Sequence, residues 1–134
     1  MVFHKTQKLQ RIFVGAFFIL SSFICHSQAR MKFEQKTQNF SKTKPGHVFE
    51  FDYVFSNNGN KPLIINNIEV TCSCTKYIYP KRPIAPQQKE TIKVSFDTKH
   101  KIGYQDRILL VYSNAENSPT KIRFKGMVDN KSEK

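Results

Sequence analysis

Hydrophobic and polar residues alternate along several short segments of the chain, and turn-forming residues separate these segments. In segment 47–56 one parity is aromatic and the other contains two acidic residues. A period of two places alternate side chains on opposite faces of a β-strand. Segment 57–60, Asn-Asn-Gly-Asn, then supplies residues that tolerate the positive φ angles of a tight turn. The residues that this strand is predicted to bury are Phe49, Phe51, Tyr53 and Phe55.

The same alternation recurs along the rest of the chain, and no segment after residue 29 keeps a helical period for three turns. Segment 108–112 is apolar on both faces, which predicts a central strand covered more fully than its neighbours. A further strand begins after Pro62, and others are expected at residues 31–33, 91–96 and 121–128. The inward-facing residues of the last two are Ile92, Val94, Phe96, Ile122, Phe124, Gly126 and Val128.

Segment 80–86 interrupts this pattern with three prolines. Because each proline lacks a backbone donor for a sheet, this segment belongs at a sheet edge or in a crossover. The number and spacing of the remaining segments predict an all-β fold, specifically an immunoglobulin-like β-sandwich of about seven strands. The chain has no tryptophan and so lacks the Cys…Trp…Cys pattern of antibody domains.

The first 29 residues have the pattern of an export signal. Lys5, Lys8 and Arg11 make the start of the chain basic, and no acidic residue accompanies them. The apolar run 12–24 is 13 residues long. A membrane-spanning helix needs about 20 apolar residues. We therefore expect a cleavable signal peptide, a periplasmic or extracellular protein, and no transmembrane segment after cleavage.

Two cleavage positions fit the end of this signal. Ser27 and Ala29 are the small residues three and one positions before a cut after Ala29, and a cut after Ser27 fits nearly as well. Lipid attachment at Cys25 is the alternative, although Ile24 stands where lipoprotein signals carry a small residue. The predicted organisation is a signal peptide at 1–29, one sandwich domain at 30–129 and a disordered tail at 130–134.

Cys72 and Cys74 are the candidates for chemistry, in the segment Glu-Val-Thr-Cys-Ser-Cys-Thr at 69–75. If strand alternation continues through residue 74, both sulfurs share a face with Ile68 and Val70 and point toward the core. Free cysteine is a good small core residue. This interpretation predicts thiols that react only on unfolding and a clear loss of stability when both are replaced.

Two other interpretations of the cysteines remain open. Cα atoms two residues apart on an extended strand are separated by roughly 6.6 Å, so a disulfide within the pair needs a bend and is easily reduced. Two thiolates on one face could instead bind Cu(I), which prefers sulfur ligands. A structural zinc site needs four ligands, and His47 and His100 are the only histidines after residue 29. His100 is expected in a solvated loop that can fold near the motif. Cys72 and Cys74 are therefore the candidate metal ligands, and no cofactor other than Cu(I) is considered.

The chain after the signal is strongly basic. The signal takes three of the 22 basic residues and none of the 10 acidic ones, which leaves a net charge of +9. Lys121, Arg123 and Lys125 face outward on the last strand, and Lys93 extends this basic stripe if the strands are neighbours. These four residues are the candidate binding residues for an anionic envelope component or an acidic protein. No aromatic residue interleaves with the stripe, so nucleic acid is not expected as a partner.

Four segments of the chain resemble a known family. They are FDYVFSNNGNKPLIINNIEVTCSCT, PIAPQQKETIKVSFDT, GYQDRILLVYSN and IRFKGMV, in family order over nearly the whole mature chain. They are similar to the small exported bacterial family called domain of unknown function 1573, which is related in fold to Hydin-like and major-sperm-protein-like sandwiches. Two positions depart from the family pattern. Ser73 replaces the glycine that the family usually has between the two cysteines, and Gln87 replaces the glycine that usually follows the proline at position 86. The resemblance implies the sandwich fold and names no function.

No nucleophile elbow, phosphate-binding glycine loop or His-Glu-x-x-His helix is present, and the acidic residues are scattered. The chain is therefore not expected to be an enzyme. The sequence predicts a non-catalytic exported adaptor that binds another envelope protein through its strand edges or end loops. The alternative is a periplasmic thiol protein that binds Cu(I) or exchanges electrons through Cys72 and Cys74.

Overall fold

The computed structural model describes residues 27–130, and it places them in two four-stranded β-sheets packed face to face. The first sheet has the strand order β1-β3-β6-β5 and the second has β2-β8-β7-β4. The strands are β1 Met31–Phe33, β2 Thr37–Asn39, β3 Val48–Asn57, β4 Ile65–Val70, β5 Thr75–Ile78, β6 Lys89–Asp97, β7 Gly103–Ser113 and β8 Thr120–Val128. The predicted all-β sandwich is confirmed, with eight strands rather than seven.

Several predicted features fall partly or wholly outside this range. Most of the predicted signal peptide lies before residue 27, and of the predicted tail only Asn130 is described. Within residues 27–130 no helix is long and apolar enough to cross a membrane.

Aromatic side chains from both sheets form the core. Phe51 of β3 stacks on Phe124 of β8 with ring centroids 4.8 Å apart, and Phe96 of β6 packs against the same ring at 4.9 Å. The buried Tyr53 hydroxyl donates a 2.7 Å hydrogen bond to the carbonyl of Arg123, so one side chain ties the first sheet to the second. Burial raises the pKa of Tyr53 well above its usual range. Each large apolar side chain buried here contributes about 1.5–3 kcal/mol to folding.

The strand predictions are confirmed for the inward faces of β3, β6 and β8, whose alternate residues are buried or half-buried. The prolines at 80–86 lie outside any central strand, as predicted, but in the connection between the neighbouring strands β5 and β6 rather than in a crossover. For segment 108–112 the predicted central position is confirmed, but the predicted cover on both faces is wrong. Its strand β7 is central in the second sheet, but Ile108 on its outer face is 40% exposed. No third layer covers that face within the described chain.

The chain just before β1 is part of the sandwich. Ala29 is 3% exposed and belongs to the core, and its carbonyl accepts a 3.1 Å hydrogen bond from the N–H of Glu116. The carbonyl of Gln28 accepts a 3.0 Å hydrogen bond from the N–H of Asn60. The fold therefore includes Gln28 and Ala29, which precede the predicted domain start at residue 30.

Asn57 organises the turn against which this first segment packs. Its buried side-chain amide donates to the carbonyls of Lys61 and Ile84 over 2.7 and 3.0 Å. Its side-chain oxygen accepts hydrogen bonds from the N–H groups of Arg30 and Gly59. A buried amide with all of these bonds made fixes the turn and the N-terminal segment in one arrangement.

Gly59 is the position where this close packing is most sensitive to substitution. A Cβ added there would lie 2.6 Å from the backbone nitrogen of Arg30 and 2.7 Å from the Cα of Ala29. We expect Gly59→Ala to lower the free energy of unfolding in urea by about 1–3 kcal/mol, because backbone atoms must move apart. The control is the same substitution in a chain that starts at Met31, where the obstructing atoms are gone and the loss should be small. Equal losses in the two chains would contradict this account of the N-terminal segment.

Candidate functional site

The Cys-Ser-Cys segment lies in a turn between the two sheets. Strand β4 ends at Val70 in the second sheet, and β5 begins at Thr75 in the first, so residues 71–74 carry the chain across the sandwich. The N–H of Thr75 donates to the carbonyl of Cys72 over 3.1 Å, which closes a β-turn. The prediction that strand alternation continues through residue 74 is therefore wrong, because the chain changes sheets at this point.

Cys72 and Cys74 form a disulfide within this turn. Their Cα atoms are 5.2 Å apart, closer than the roughly 6.6 Å of an extended strand, because the chain bends at Ser73. The N–H of Cys74 also donates to Cys72 Sγ over 3.2 Å. Both residues are half-buried, and Cys74 packs against the edge of the core. The interpretation of two free, core-filling thiols is wrong, and the bend that a disulfide needs is present.

The disulfide changes what the Cu(I) prediction requires. Sulfurs bonded to each other do not offer thiolates, so reduction must come before any Cu(I) binding at Cys72 and Cys74. Over residues 27–130 no group of three or more His, Cys, Asp and Glu side chains is placed to hold a metal ion. His47 packs against Phe49, with ring centroids 4.5 Å apart. The Cu(I) site stays a prediction for the reduced protein.

An open depression of about 420 Å³ lies beside the disulfide, and both cysteines line it. Basic side chains from β5 and from the loop between β6 and β7 line it as well: Lys76, Lys99, His100 and Lys101. His100 is exposed, as predicted, and its loop does fold beside the motif. The acidic residue in this lining is Asp97, whose carboxylate accepts the backbone N–H of Lys99 over 2.8 Å. The surroundings of the disulfide are therefore mainly basic.

A second depression, of about 470 Å³, continues along the outer face of the first sheet. It shares Lys76 and Ser95 with the first, so we call the two together the outer groove. Its far end is lined by Asp52 and Lys93, whose side chains form a 3.4 Å ion pair, and by Ile78 at the end of β5. Ile78 is 72% exposed, which is unusual for a large apolar side chain on a strand.

Side-chain hydrogen bonds occupy backbone groups at two of the four sheet edges, β1 and β4. At β1 the Asn117 amide pairs with the backbone of Met31, accepting its N–H over 3.2 Å and donating to its carbonyl over 2.7 Å. At β4 the Tyr79 hydroxyl donates to the carbonyl of Asn66 over 3.3 Å, next to a break in the strand register. The contacts at β1 and β4 hinder the addition of a further strand there. The Gln38 amide of β2 donates over 2.8 Å to the Asp52 carbonyl of β3 in the other sheet, and this bond occupies no backbone group of β2.

The β5 edge differs from the β1 and β4 edges, because no side chain within residues 27–130 bonds to its backbone. The N–H of Asp97 in β6 donates to the carbonyl of Cys74 over 3.0 Å, which fixes the alternation of the antiparallel pair. By that alternation Lys76 and Ile78 bond to β6, whereas the backbone N–H and carbonyl of Tyr77 point away from it. Within residues 27–130 no partner occupies these outward groups of Tyr77. The edge lies alongside the outer groove and begins directly after the disulfide.

The four predicted binding residues do not form one stripe. Lys121, Arg123 and Lys125 lie on β8 in the second sheet, whereas Lys93 lies on β6 in the first. The strands are not neighbours, so Lys93 does not extend the stripe. Arg123 donates two hydrogen bonds to the Asp106 carboxylate over 2.6 and 2.5 Å. This pairing lowers the pKa of Asp106 and raises that of Arg123, and it neutralises the middle of the stripe. Binding at these residues stays a prediction.

The open edge is the feature that the sequence pattern misses, since β5 is not among the predicted strands. The signal that could have identified it is the run Thr-Lys-Tyr-Ile-Tyr at 75–79, which is rich in residues favoured in strands and ends at a proline. The sequence pattern does not show where this strand begins, because the alternation from Ile68 to Cys74 fits one continuous strand.

Comparison with known proteins decides the family. The model of the family described as "Protein of unknown function (DUF1573)" matches residues 31–128. The chain belongs to the DUF1573 family. The resemblance found in the sequence is thus confirmed, and the matched range includes all eight strands. A comparison with curated proteins finds no match.

Solved structures support the fold of this DUF1573 protein. The ASH/PapD-like domain 7 of human CEP192 is 10% identical and has a TM-score of 0.64, over 84% of this chain and 94% of that one. A protein of unknown function from Porphyromonas gingivalis W83 is 12% identical with a TM-score of 0.67, over 81% of this chain and 51% of that one. The YadV chaperone is 14% identical with a TM-score of 0.53, over 78% and 54%. At these identities the likeness shows a PapD-like, immunoglobulin-like sandwich and nothing about activity.

The position of the cysteines predicts how much they stabilise the fold. The double variant Cys72→Ser/Cys74→Ser should lose about 1–2 kcal/mol of unfolding free energy, because the disulfide closes a very short loop. The matched core variant Phe124→Ala should lose about 3–5 kcal/mol, since it empties a fully buried position. Urea unfolding of both variants measures the difference. A cysteine variant as destabilised as Phe124→Ala would restore the core-filling interpretation.

Proposed function

We propose that this protein is a non-catalytic, exported binding module that takes up an extended segment of another envelope protein at the β5 edge. The single observation that carries this proposal is the outward backbone of Tyr77, which no described residue occupies and which lies alongside the outer groove. An added strand satisfies such groups with backbone hydrogen bonds. The partner therefore contributes a strand, and its side chains meet the outer groove.

The groove suggests the chemistry of that strand. A segment bound along β5 places alternate side chains over the outer face of the first sheet, where Ile78 offers an apolar contact. Toward the disulfide the same segment meets Lys76, Lys99 and Lys101. Charge complementarity favours acidic residues in the partner at this end. We infer an extended, acidic segment with interspersed branched apolar residues.

The export part of the proposal concerns where the signal is removed. Cleavage after Ala29 would remove a buried residue and the Gln28 carbonyl that holds Asn60. Cleavage after Ser27 leaves both residues in place. We therefore propose that the mature chain begins at Gln28, which the mass of the exported protein would determine.

Binding at β5 is tested with a short fluorescent peptide in which valine alternates with glutamate. Tyr77→Pro removes the outward N–H but no hydrogen bond to β6, so it should weaken binding at least about tenfold while the protein stays folded. The matched control is Tyr77→Val, which also removes the ring but keeps the N–H. It should bind within about threefold of the parent protein. Fluorescence anisotropy measures all three affinities.

Equal affinities for Tyr77→Pro and Tyr77→Val would contradict strand addition at this edge. A second peptide with lysine in place of glutamate tests the charge argument and should bind more weakly. If it binds as well as the acidic peptide, the groove does not select charge and the inferred partner is wrong.

A further inference from the structure

The Cys72–Cys74 disulfide is poorly placed for a structural role. Its cysteines are two residues apart, so it closes one of the shortest loops that a protein disulfide can close. The entropic stabilisation by a disulfide grows with the length of the loop, and here it is near its minimum. The bond joins neither two strands nor the two sheets, because both cysteines lie in one turn. Stability therefore gives little reason for a disulfide at this position.

The surroundings of the bond favour reaction with a thiol. Both cysteines are half-exposed and line an open depression, so a second molecule reaches the sulfurs without unfolding the domain. Lys76, Lys99 and Lys101 line the same depression. Positive charge attracts an incoming thiolate and stabilises the thiolate that leaves. Basic and accessible surroundings of this kind are those of reactive rather than inert cysteines.

The contacts of the two sulfurs distinguish their roles. Cys72 Sγ accepts the N–H of Cys74 over 3.2 Å, and Cys72 is half-exposed in the lining of the depression. Cys74 packs against the core edge, and its Sγ lies 4.0 Å from the Thr75 hydroxyl. A disulfide sulfur carries no proton, so the Thr75 hydroxyl is the donor in this contact. The hydroxyl remains beside Cys74 when that sulfur becomes a thiolate. Because Cys74 packs against the core and Cys72 does not, Cys72 is the sulfur open to attack and Cys74 is the leaving group.

We propose that Cys72 and Cys74 form a thiol–disulfide exchange site that oxidises a dithiol of another protein. A partner thiolate bonds to Cys72 Sγ as the Cys72–Cys74 bond breaks, and the electron pair of that bond leaves on Cys74. The second thiolate of the partner then attacks its own bonded sulfur and releases Cys72 as a thiolate. The partner ends as a disulfide, and its two protons end on the thiols of Cys72 and Cys74. This activity is independent of peptide binding at β5.

The test measures the rate of exchange in the folded, exported protein. Glutathione is the anionic thiol probe and 2-mercaptoethanol the neutral one, and alkylation followed by mass spectrometry counts the thiols released. Both probes should open the disulfide without a change in the circular dichroism spectrum. The mixed disulfide should map to Cys72, with the alkyl group on Cys74. A disulfide that resists both thiols until the protein is denatured would overturn the proposal, as would a mixed disulfide on Cys74.

Charge variants test the role of the depression. Lys99→Gln/Lys101→Gln should slow the glutathione reaction at least about threefold, and it should slow the 2-mercaptoethanol reaction less, because that thiolate carries no further negative charge. The matched control, Lys121→Gln/Lys125→Gln, removes the same net charge from the opposite sheet and should change neither rate. Equal slowing of the glutathione reaction in the two double variants would mean that the net charge of the protein, and not the depression, attracts the thiolate. That result would contradict the proposed site. Dithiothreitol, a dithiol, should reduce the bond completely in the parent protein.

Discussion

The constraint on which this structure depends is the pairing of backbone hydrogen-bonding groups at the edges of two short sheets. An edge strand leaves a row of N–H and carbonyl groups that must find water, a side chain or another strand. Asn117 and Tyr79 occupy such groups at β1 and β4. The outward groups of Tyr77 on β5 have no such occupant within the described chain. This open edge lies alongside a groove with an exposed Ile78 and several lysines, which is why we propose it as the binding edge.

The turn at 71–74 generates this edge. It moves the chain from β4 in the second sheet to β5 in the first, so β5 becomes the outermost strand beside β6. The disulfide holds the bend at the start of β5, where basic side chains gather. This one change of sheet therefore determines where the open β5 edge, the outer groove beside it and the half-exposed cysteines lie. The binding and redox proposals share the lysines beside the disulfide, but one depends on the backbone of Tyr77 and the other on the two sulfurs.

The sequence predicts the fold better than the site. The alternation of Phe49, Phe51, Tyr53 and Phe55 identifies β3 and its buried face, because burial on one face imposes a period of two. The same rule fails at Cys72 and Cys74, since periodicity alone cannot tell a continuing strand from a chain that changes sheets. The stripe fails at Lys93 for a related reason, because the sheet that a strand joins depends on long-range pairing. Both errors concern the strand topology, which the local sequence pattern does not determine.

Amide hydrogen exchange of the folded protein tests the central claim most directly. Met31 and Tyr77 both lie in edge strands, but the Met31 N–H donates to Asn117 whereas the Tyr77 N–H points to solvent. The Lys76 N–H, which faces β6, serves as a second reference on the same strand. The account predicts that Tyr77 exchanges at least about tenfold faster than both Met31 and Lys76, as measured by NMR. A Tyr77 amide protected as strongly as these two would mean that the β5 edge is already occupied, which contradicts the account.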